Sequence, residues 1–443
     1  MSSNLGDSQT QNEATWHELY KASDAALISL SQQTLEERLA LDMTRGKPAT
    51  EQLDLCNDLI SGSLLGSALT DYRAEDGTDC RNYGGLDGIP EAKRLFAEYL
   101  QVKPENVLIG GNSSLSLMHD TVAALWLKGT SGGEPWHSQP VKFLCPVPGY
   151  DRHFEICEKF GIEMIQVPLN DDGPDMDIVK RLVLEDASIK GIWCVPKYSN
   201  PSGIVYSNQV ISELASMKAA ADFRIFWDNA YQAHHLTDER IEIPDILDIC
   251  ASHDNNDRVF IYGSTSKITL PGAGVAMMAA SPANLALIKG WLSIQTVGPD
   301  KLNQLRHVRF LKDLNGIYAI MKKHAEIIRP KFEMVSEVLT SALGDSDICS
   351  WTSPKGGYFL SLTLSKTVSN RSGTAPSAKR VVALANSAGV KLTPAGATHP
   401  YRNDPDDATI RIAPTLPRLS EVKRAAQVLA LCVVLEGRGL ATM

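Results

Sequence analysis

The stretch Tyr262–Lys267, YGSTSK, places a lysine three residues after a serine, and this spacing fits two different chemistries. Ser264-x-x-Lys267 could be the nucleophile motif of a penicillin-recognising serine enzyme, in which the serine attacks the substrate. Alternatively, Lys267 could hold an aldehyde as a Schiff base, while the hydroxyl groups of Ser264 and Ser266 bind a phosphate. The rest of the chain must decide between these two interpretations.

The serine-enzyme interpretation and two similar motifs lack the structural context they need. YSN at Tyr198 and KGG at Lys355 resemble the other penicillin-site motifs, but S-x-x-K must come first and open a helix. Here it follows the apolar run RVFIYGS, and Pro271 excludes an early long helix. GTSGG at 129–133 matches the hydrolase pattern G-x-S-x-G, but a helix precedes it, which predicts a surface loop. GAGVAM lacks the third glycine of a dinucleotide-binding loop.

The Schiff-base interpretation needs several supporting groups if the aldehyde is pyridoxal phosphate. The pyridine ring requires an acid at its nitrogen, a donor near its hydroxyl oxygen, a flat residue against its face and donors for the phosphate. A helix N-terminus would add backbone N–H groups for the phosphate. The chain supplies such groups as Asp228 and Tyr231 in WDNAY, Asn200 in KYSNPSG, Tyr150 in PVPGYD, and Ser113 and Ser114 in GGNSSL.

With these segments in this order, the chain resembles the fold-type-I pyridoxal-phosphate-dependent aminotransferases. It is similar in detail to aspartate aminotransferase subgroup Ic, which is grouped with MocR-like sequences, from about TRGKP to IRIAPTLP. The resemblance implies an α/β fold with a large domain, whose mostly parallel seven-stranded sheet lies between helices, and a smaller α+β domain. The motifs that carry it are Asn200-Pro201-x-Gly203, Asp228-x-x-Tyr231 and Ser264-x-x-Lys267.

The resemblance also implies a role for each candidate residue. Lys267 would bind the cofactor and move the proton, Asp228 would pair with the pyridine nitrogen, and Tyr150 would stack on the ring. Asn200 and Tyr231 would contact the ring hydroxyl oxygen. No metal ion is implied, and the adjacent His234 and His235 do not predict a metal site. The phosphate would be held by Ser113, Ser114, Ser264 and Ser266.

Other matched residues would bind the substrate or the neighbouring subunit. Arg411 in TIRIAPT would grip the substrate α-carboxylate, since a planar guanidinium suits a carboxylate. Gly46 in RGKP would close over the same group. Tyr83 in RNYGGLDG would reach the phosphate of the neighbouring subunit's cofactor, which implies a homodimer. Common family members carry an arginine near the phosphate soon after the lysine, but the segment KITLPGAGVA offers no cation.

The implied reaction moves an amino group from L-aspartate to 2-oxoglutarate by a ping-pong mechanism. The second carboxylate of aspartate needs a second cation. We predict Arg152, because Tyr150 and Arg152 would point to the same side of an extended chain, whereas Asp151 would point away. Arg306 and Arg309 are its competitors. Three alternatives on the same fold stay open: an aromatic or kynurenine aminotransferase, a C–S lyase, and a MocR-type regulator without its DNA-binding domain.

The elements that must position these residues follow from the hydrophobic pattern. Short apolar runs, such as VKFLCPVP, IKGIWCVP and FRIFWDNA, alternate with helical segments, which predicts a mostly parallel sheet covered on both faces. Ligands bind beyond the carboxyl ends of such strands. After Lys301 the pattern predicts one long helical stretch, a hairpin at SWTSPKGGYFLSLTL, a helix, the strand ATIRIAPT and a terminal helix.

Length and composition limit the class of protein. The 443 residues suggest two domains. With the family resemblance, the expected division is an N-terminal helix and arm at 1–56, a large cofactor-binding domain at 57–310 and a small domain at 311–443. The net charge of −9 argues against a nucleic-acid partner. There is no signal-peptide pattern, no apolar run spans a bilayer, and the eight cysteines lack paired spacing. These features predict a cytoplasmic protein. The family resemblance implies that its partners are small amino-acid and 2-oxo-acid substrates.

Overall fold

The computed structural model describes residues 16–440, except for 62, 66–71, 345 and 372. The α-helices in this part of the chain are α1 Asp24–Glu36, α2 Thr50–Asp54, α3 Pro90–Leu100, α4 Ser114–Lys128, α5 Asp151–Phe160, α6 Met176–Glu185, α7 Asn208–Ser216, α8 Ile246–Ser252, α9 Pro282–Gln295, α10 Lys301–Leu311, α11 Leu314–Leu343, α12 Ala378–Ser387 and α13 Leu419–Arg438. The strands are β1 Leu41–Asp42, β2 Val107–Ile109, β3 Lys142–Val147, β4 Glu163–Asn170, β5 Gly173–Pro174, β6 Ile189–Cys194, β7 Arg224–Asp228, β8 Val259–Ser264, β9 Ala276–Ala280, β10 Cys349–Trp351, β11 Leu360–Leu364, β12 Val390–Lys391 and β13 Thr409–Ile412.

An eight-stranded sheet with the order β2-β9-β8-β7-β6-β3-β4-β5 forms the centre of the described chain. The neighbours β8, β7, β6, β3 and β4 run parallel, whereas β9 is antiparallel to both β8 and β2. The predicted mostly parallel sheet is therefore confirmed. The strand beyond the predicted seven is β5, a two-residue edge strand antiparallel to β4.

The sequence explains why the middle of this sheet is buried on both faces. Every residue of β6, β7 and β8 is buried, as expected for near-continuous apolar runs covered by helices. Gly191 in β6 allows the Phe143 ring of β3 to pack closely, because a Cβ there would lie 2.5 Å from the ring. Crossover helices begin at side-chain N-caps, since Asp175 and Ser207 accept hydrogen bonds from the first turns of α6 and α7.

A smaller antiparallel sheet, β10-β11-β13, follows the large one along the chain. It packs with α12, α13 and the N-terminal residues Trp16 and Leu27 in one hydrophobic cluster. The parallel pair β1-β12 also joins the N-terminal segment to this part of the chain. The α+β unit expected after the large sheet is thus present, with the N-terminal helix packed against it. The boundaries at 56 and 310 stay predictions.

The predicted long helical stretch after Lys301 is wrong in one respect, because it is two helices. The chain leaves the helical conformation at Lys312, which has a φ of 65°. Asp313 then caps α11 by accepting a hydrogen bond from the backbone N–H of Gly316 at 2.8 Å. Aspartate favours such a cap because its side chain satisfies an N–H group that the first turn leaves free.

Two further observations bear on the class of protein. Within the described residues, no helix combines the length and the apolar character needed to cross a membrane. All eight cysteines are free thiols, and all except Cys349 are buried.

Candidate active site

The carboxyl ends of the parallel strands bring the predicted residues to one edge of the large sheet. Asp228 is the last residue of β7, and Lys267 follows three residues after the end of β8. Tyr150 follows β3, and Asn200 lies in the loop after β6. Because these strands are parallel neighbours, residues far apart in sequence meet beyond the same sheet edge.

A cavity of about 210 Å³ lies at this edge. Residues of the large sheet line one side, and Phe359 and Arg411, from the small sheet's part of the chain, line another. The cavity is therefore built between the two sheets. The predicted site residues that line it are Gly46, Ser114, Tyr150, Asn200, Asp228, Tyr231, Lys267 and Arg411.

Lys267 presents a reactive amine to this cavity. Burial holds the pKa of Lys267 below its usual range, although the nearby Asp228 carboxylate opposes that shift. Its Nζ lies 5.0 Å from the ring centroid of Tyr231. Tyr358, just before β11, donates a hydrogen bond of 3.3 Å to the Lys267 carbonyl oxygen. A lower pKa increases the neutral fraction of the amine, which is the nucleophilic form.

Among the described residues, one of the two carboxylate oxygens of Asp228 has a hydrogen-bond partner. Its Oδ2 lies 3.0 Å from Nε2 of His153, and both residues are almost fully buried. The His153 ring stacks on Trp193 with centroids 4.4 Å apart and an angle of 9° between the planes. Oδ1 of Asp228 is also buried and has no hydrogen-bond partner among the described residues. A buried carboxylate oxygen of this kind calls for a donor.

Arg411, on β13, brings a guanidinium to the opposite side of the cavity. Its Nη1 lies 3.1 Å from Oδ1 of Asp151 and 3.4 Å from Oδ1 of Asn200. Its Nε donates a hydrogen bond of 3.2 Å to Oγ1 of Thr393. The guanidinium carbon lies 5.2 Å from the ring centroid of Phe359, so the charge rests near an aromatic ring. These contacts fix the plane of the guanidinium in a site from which water is largely excluded.

Gly46 is required because the backbone of its loop packs closely against Tyr358 and Phe359. A Cβ at this position would lie 2.8 Å from Cζ of Phe359 and 2.9 Å from Cβ of Tyr358. Any larger residue must displace the ring that lies beside Arg411. The glycine therefore lets the loop after β1 close over the cavity.

The hydroxyl groups predicted to hold a phosphate lie around the N-terminus of α4. Ser113 is the N-cap of this helix, and Ser114 is its first residue. Oγ of Ser264 lies 2.7 Å from Oγ of Ser266, and both hydroxyl groups lie within hydrogen-bond distance of the Asn112 carbonyl oxygen. The structure thus gathers these serines beside a helix N-terminus, where backbone N–H groups favour an anion.

The predicted position of Arg152 rests on a premise that the structure contradicts. Tyr150 is the N-cap of α5, and Asp151 begins the helix, so the chain is not extended through Arg152. Successive helical residues point about 100° apart, which separates Arg152 from Tyr150. Arg152 forms an ion pair with Glu155 on the same helix and does not line the cavity. Asp151, expected to point away, lines the cavity and contacts Arg411.

Several other candidates lie outside the cavity. Tyr83 is 84% exposed and does not line it. Arg306 and Arg309 lie on α10, where Arg309 donates a hydrogen bond to the Leu64 carbonyl oxygen. At the position where common family members carry the phosphate arginine, this chain has Val275. Val275 is buried, and its N–H donates a hydrogen bond to Oγ1 of Thr265.

Sequence reasoning missed residues that lie close to the predicted ones. His153 follows Tyr150 by three residues, and helical spacing would have placed both on one side of a helix. The start of that helix was not recognised, because tyrosine is not among the favoured N-cap residues. Arg45 and Lys47, on either side of Gly46, line the cavity and gave no signal beyond their charge.

Comparisons with known proteins identify the family of the chain. The family described as aspartate amino-transferase matches residues 17–441. An aspartate aminotransferase of Corynebacterium glutamicum is 46% identical over 402 residues, which cover 90% of this chain and 90% of that protein. The crystal structure of an aspartate transaminase from Corynebacterium glutamicum has a TM-score of 0.87 and 42% identity, over 95% of this chain and 98% of that one.

A more distant structure shows how widely the fold is shared. The α-aminoadipate aminotransferase LysN from Thermus thermophilus has a TM-score of 0.71 at 20% identity, over 94% of this chain and 95% of that chain. That likeness concerns the fold alone. Together with the family match over nearly the whole chain, these findings confirm the resemblance and the enzyme class that the sequence motifs implied. The chain belongs to the aspartate amino-transferase family, and it is an aminotransferase with the fold-type-I architecture.

Proposed function

We propose that the protein transfers the amino group of L-aspartate to 2-oxoglutarate with pyridoxal 5'-phosphate as its cofactor. One observation carries this proposal. The Lys267 amine, the buried Asp228 carboxylate and the Arg411 guanidinium face the same cavity. An amine for a carbonyl group, an anion for a pyridinium and a cation for a carboxylate are the groups that this reaction needs.

The residues of the cavity fit the cofactor. Oδ1 of Asp228 is buried without a partner among the described residues, and a protonated pyridine nitrogen is a donor that would satisfy it. Lys267 would bind the carbonyl group, Tyr150 would lie against the ring, and Asn200 and Tyr231 would contact its hydroxyl oxygen. The phosphate would be held by Ser113, Ser114, Ser264 and Ser266.

The protein's own groups would then orient the substrate and move its proton. When bound, the cofactor supplies an electron-withdrawing ring that acidifies the α-proton of the amino acid. Nζ of Lys267 would take that proton and later return it, since a neutral amine beside the substrate is a suitable general base. Arg411 would hold the α-carboxylate, and the Gly46 loop would cover it. Asp228, held by His153, would keep its negative charge directed at the ring nitrogen.

The second carboxylate of aspartate requires another cation, and we assign it to Arg45. Arg45 lines the cavity together with Arg411, its side chain is exposed, and its guanidinium has no hydrogen-bond or ion-pair partner among the described residues. Lys47 also lines the cavity, but its Nζ lies 3.7 Å from Asp42. A guanidinium with free donors can bind a carboxylate in a bidentate way without losing an existing partner.

We also propose that the enzyme works as a homodimer in the cytoplasm. The support for the dimer is Tyr83. This residue is 84% exposed, although the family resemblance assigns it to the phosphate of a cofactor. A tyrosine outside its own cavity can serve the cavity of a second subunit. Sedimentation of the holoenzyme should therefore give twice the chain mass, and a monomeric active enzyme would contradict this assignment.

Two measurements on the purified holoenzyme test the proposed function. Borohydride reduction should attach the cofactor to Lys267, as identified by peptide mass spectrometry, and Lys267→Ala should give no such adduct. Incubation with L-aspartate and 2-oxoglutarate should yield oxaloacetate and glutamate in equal amounts. An adduct at another lysine would overturn the cofactor assignment. Adduct formation at Lys267 without these products would overturn the substrate assignment alone.

A further inference from the structure

Arg411 is already paired with a carboxylate before any substrate arrives. The carboxylate belongs to Asp151, the first residue of α5, and the 3.1 Å contact joins two side chains that are 4% and 17% exposed. In the proposed function, the substrate α-carboxylate must bind the same guanidinium. Two anions would then compete for one cation at a site that is largely shielded from water, where charges interact more strongly than in bulk solvent.

Asp151 lies at the start of a helix and lines both cavities beside Arg411. It lies in the first turn of α5, where the helix dipole and free N–H groups stabilise a negative charge. Asp151 also lines a second cavity of about 290 Å³, which adjoins the first one and includes Arg45 and Arg402. Asp151 and Arg411 both line both cavities, so their ion pair lies where the two spaces meet.

The remaining donors of Arg411 show that Asp151 is not needed to hold the guanidinium in place. Nε donates to Thr393, Nη1 also lies 3.4 Å from Asn200, and the Phe359 ring supports the guanidinium face. These neutral partners would remain if the Asp151 charge were removed. The Asp151 carboxylate therefore neutralises the charge of Arg411, whose guanidinium the neutral partners already orient.

We propose that Asp151 is an internal anion that competes with the substrate α-carboxylate for Arg411 and so weakens the binding of carboxylate ligands. This inference rests on the proposed function in one point, the assignment of Arg411 to the α-carboxylate. Asp151 is thereby a specificity-determining residue. It reduces the affinity of the site for any ligand whose only strong contact is a carboxylate on Arg411.

The test measures binding of succinate, which has the two carboxylates of aspartate but no amino group, and therefore cannot react. The dissociation constant is measured by calorimetry on the holoenzyme at fixed pH and ionic strength. Asp151→Asn keeps the shape and removes the charge, and it should lower the dissociation constant about three- to tenfold, the scale of one partly exposed charge pair. Asp151→Ala should shift the constant in the same direction, and either folded variant suffices for the test.

Glu163→Gln is the control, because it removes an exposed negative charge on β4 from a side chain that lines neither cavity. Its succinate affinity should equal that of the wild type. An unchanged or higher dissociation constant in Asp151→Asn would overturn the inference, since Asp151 would then position Arg411. If succinate binds neither the wild type nor the Asp151 variants, Arg411 is not the carboxylate site and the inference is wrong. Failure of aspartate turnover in the wild type is a separate result, because the comparison of dissociation constants requires no reaction.

Discussion

At the scale of single residues, the charge on Asp228 should dominate the chemistry. Asp228→Asn keeps the side-chain shape but cannot hold a proton on a pyridine nitrogen by charge. We expect the half-reaction with aspartate to slow by about two orders of magnitude or more, the scale of losing a positioned charge in an active site. Stopped-flow absorbance of the cofactor measures this rate directly.

Tyr150→Phe is the control for that prediction, because it retains an aromatic ring against the cofactor. We expect this variant to slow the half-reaction much less than Asp228→Asn does. If both variants have small and equal effects, Asp228 is only a structural carboxylate that holds His153.

The choice of Arg45 for the side-chain carboxylate gives a second prediction at this scale. Arg45→Ala should lower kcat/KM for aspartate by about one to three orders of magnitude, as expected for the loss of a charge-assisted pair. The value for alanine, which has no second carboxylate, should change little. Steady-state kinetics on the two amino acids separates the effects.

Arg152→Ala is the matched control for Arg45. Both changes remove an arginine near the cavity, but Arg152 is paired with Glu155 and does not line it. We expect Arg152→Ala to leave the preference for aspartate over alanine unchanged. A selective loss of aspartate turnover in Arg152→Ala would instead restore the original prediction for that residue.

At the scale of elements, the packing of α10 makes the fold sensitive to acid. His307 on this helix is buried, with Nε2 at 3.0 Å from Oγ1 of Thr269, and burial lowers its pKa to about 4. Between its unfolded pKa of about 6.5 and pH 4, the unfolded chain binds a proton that the folded chain does not. Stability is therefore lost as the pH falls through this window, and it is unaffected by His307 above it.

This sign gives a prediction for His307→Asn. Between pH 7 and pH 5, the wild type should lose on the order of 1–2 kcal/mol more unfolding free energy than the variant does. Urea unfolding at the two pH values measures the difference. The control is His137→Asn, because His137 is exposed, and it should lose as much stability as the wild type. An identical acid loss in His307→Asn and the wild type would contradict the prediction.

The elements that could be predicted from sequence are those whose pattern is dictated by burial. β6, β7 and β8 are near-continuous apolar runs because both faces are covered, so their ends, and with them Asp228 and Lys267, could be located. The residues at helix starts were harder. The N-cap of α5 is Tyr150, which gives no capping signal, and the error of one element moved Arg152 and Asp151 to the wrong sides.

Contacts between distant segments could not be predicted at all. The pairing of Asp151 with Arg411 joins residues 260 positions apart, and no local pattern encodes it. His153 behind Asp228 depends on the same unrecognised helix. Family motifs located residues that line the cavity, whereas the residues that contact them, such as His153 and Asp151, required the structure.

At the scale of the whole molecule, the cavity depends on how two packed units are held together. Lys267, Asp228 and Tyr150 come from the large sheet, and Arg411 and Phe359 come from the chain around the small one. The contact from Tyr358 to the Lys267 carbonyl crosses the same division. The relative position of the two units therefore sets the distance between Lys267 and Arg411.

Helix α11 links these units physically. Its first half buries Ile317 and Met321 in the hydrophobic cluster beside the large sheet, and its second half buries Phe332 and Val335 in the cluster of the small one. Pro330 lies inside the helix between these groups, and the helix continues through it for 30 residues in total. Neither hydrophobic cluster is complete without its half of this helix.

A shared helix makes the two clusters thermodynamically interdependent. Loss of one cluster would expose half of α11 and weaken the other, so partly unfolded states should be poorly populated. We expect differential scanning calorimetry of the apoprotein to show a single transition whose calorimetric and van't Hoff enthalpies agree, although chains of this length often unfold in steps. Two resolved transitions would contradict this. A single transition would mean that helix α11, which passes from one hydrophobic core into the other, makes the two cores unfold together.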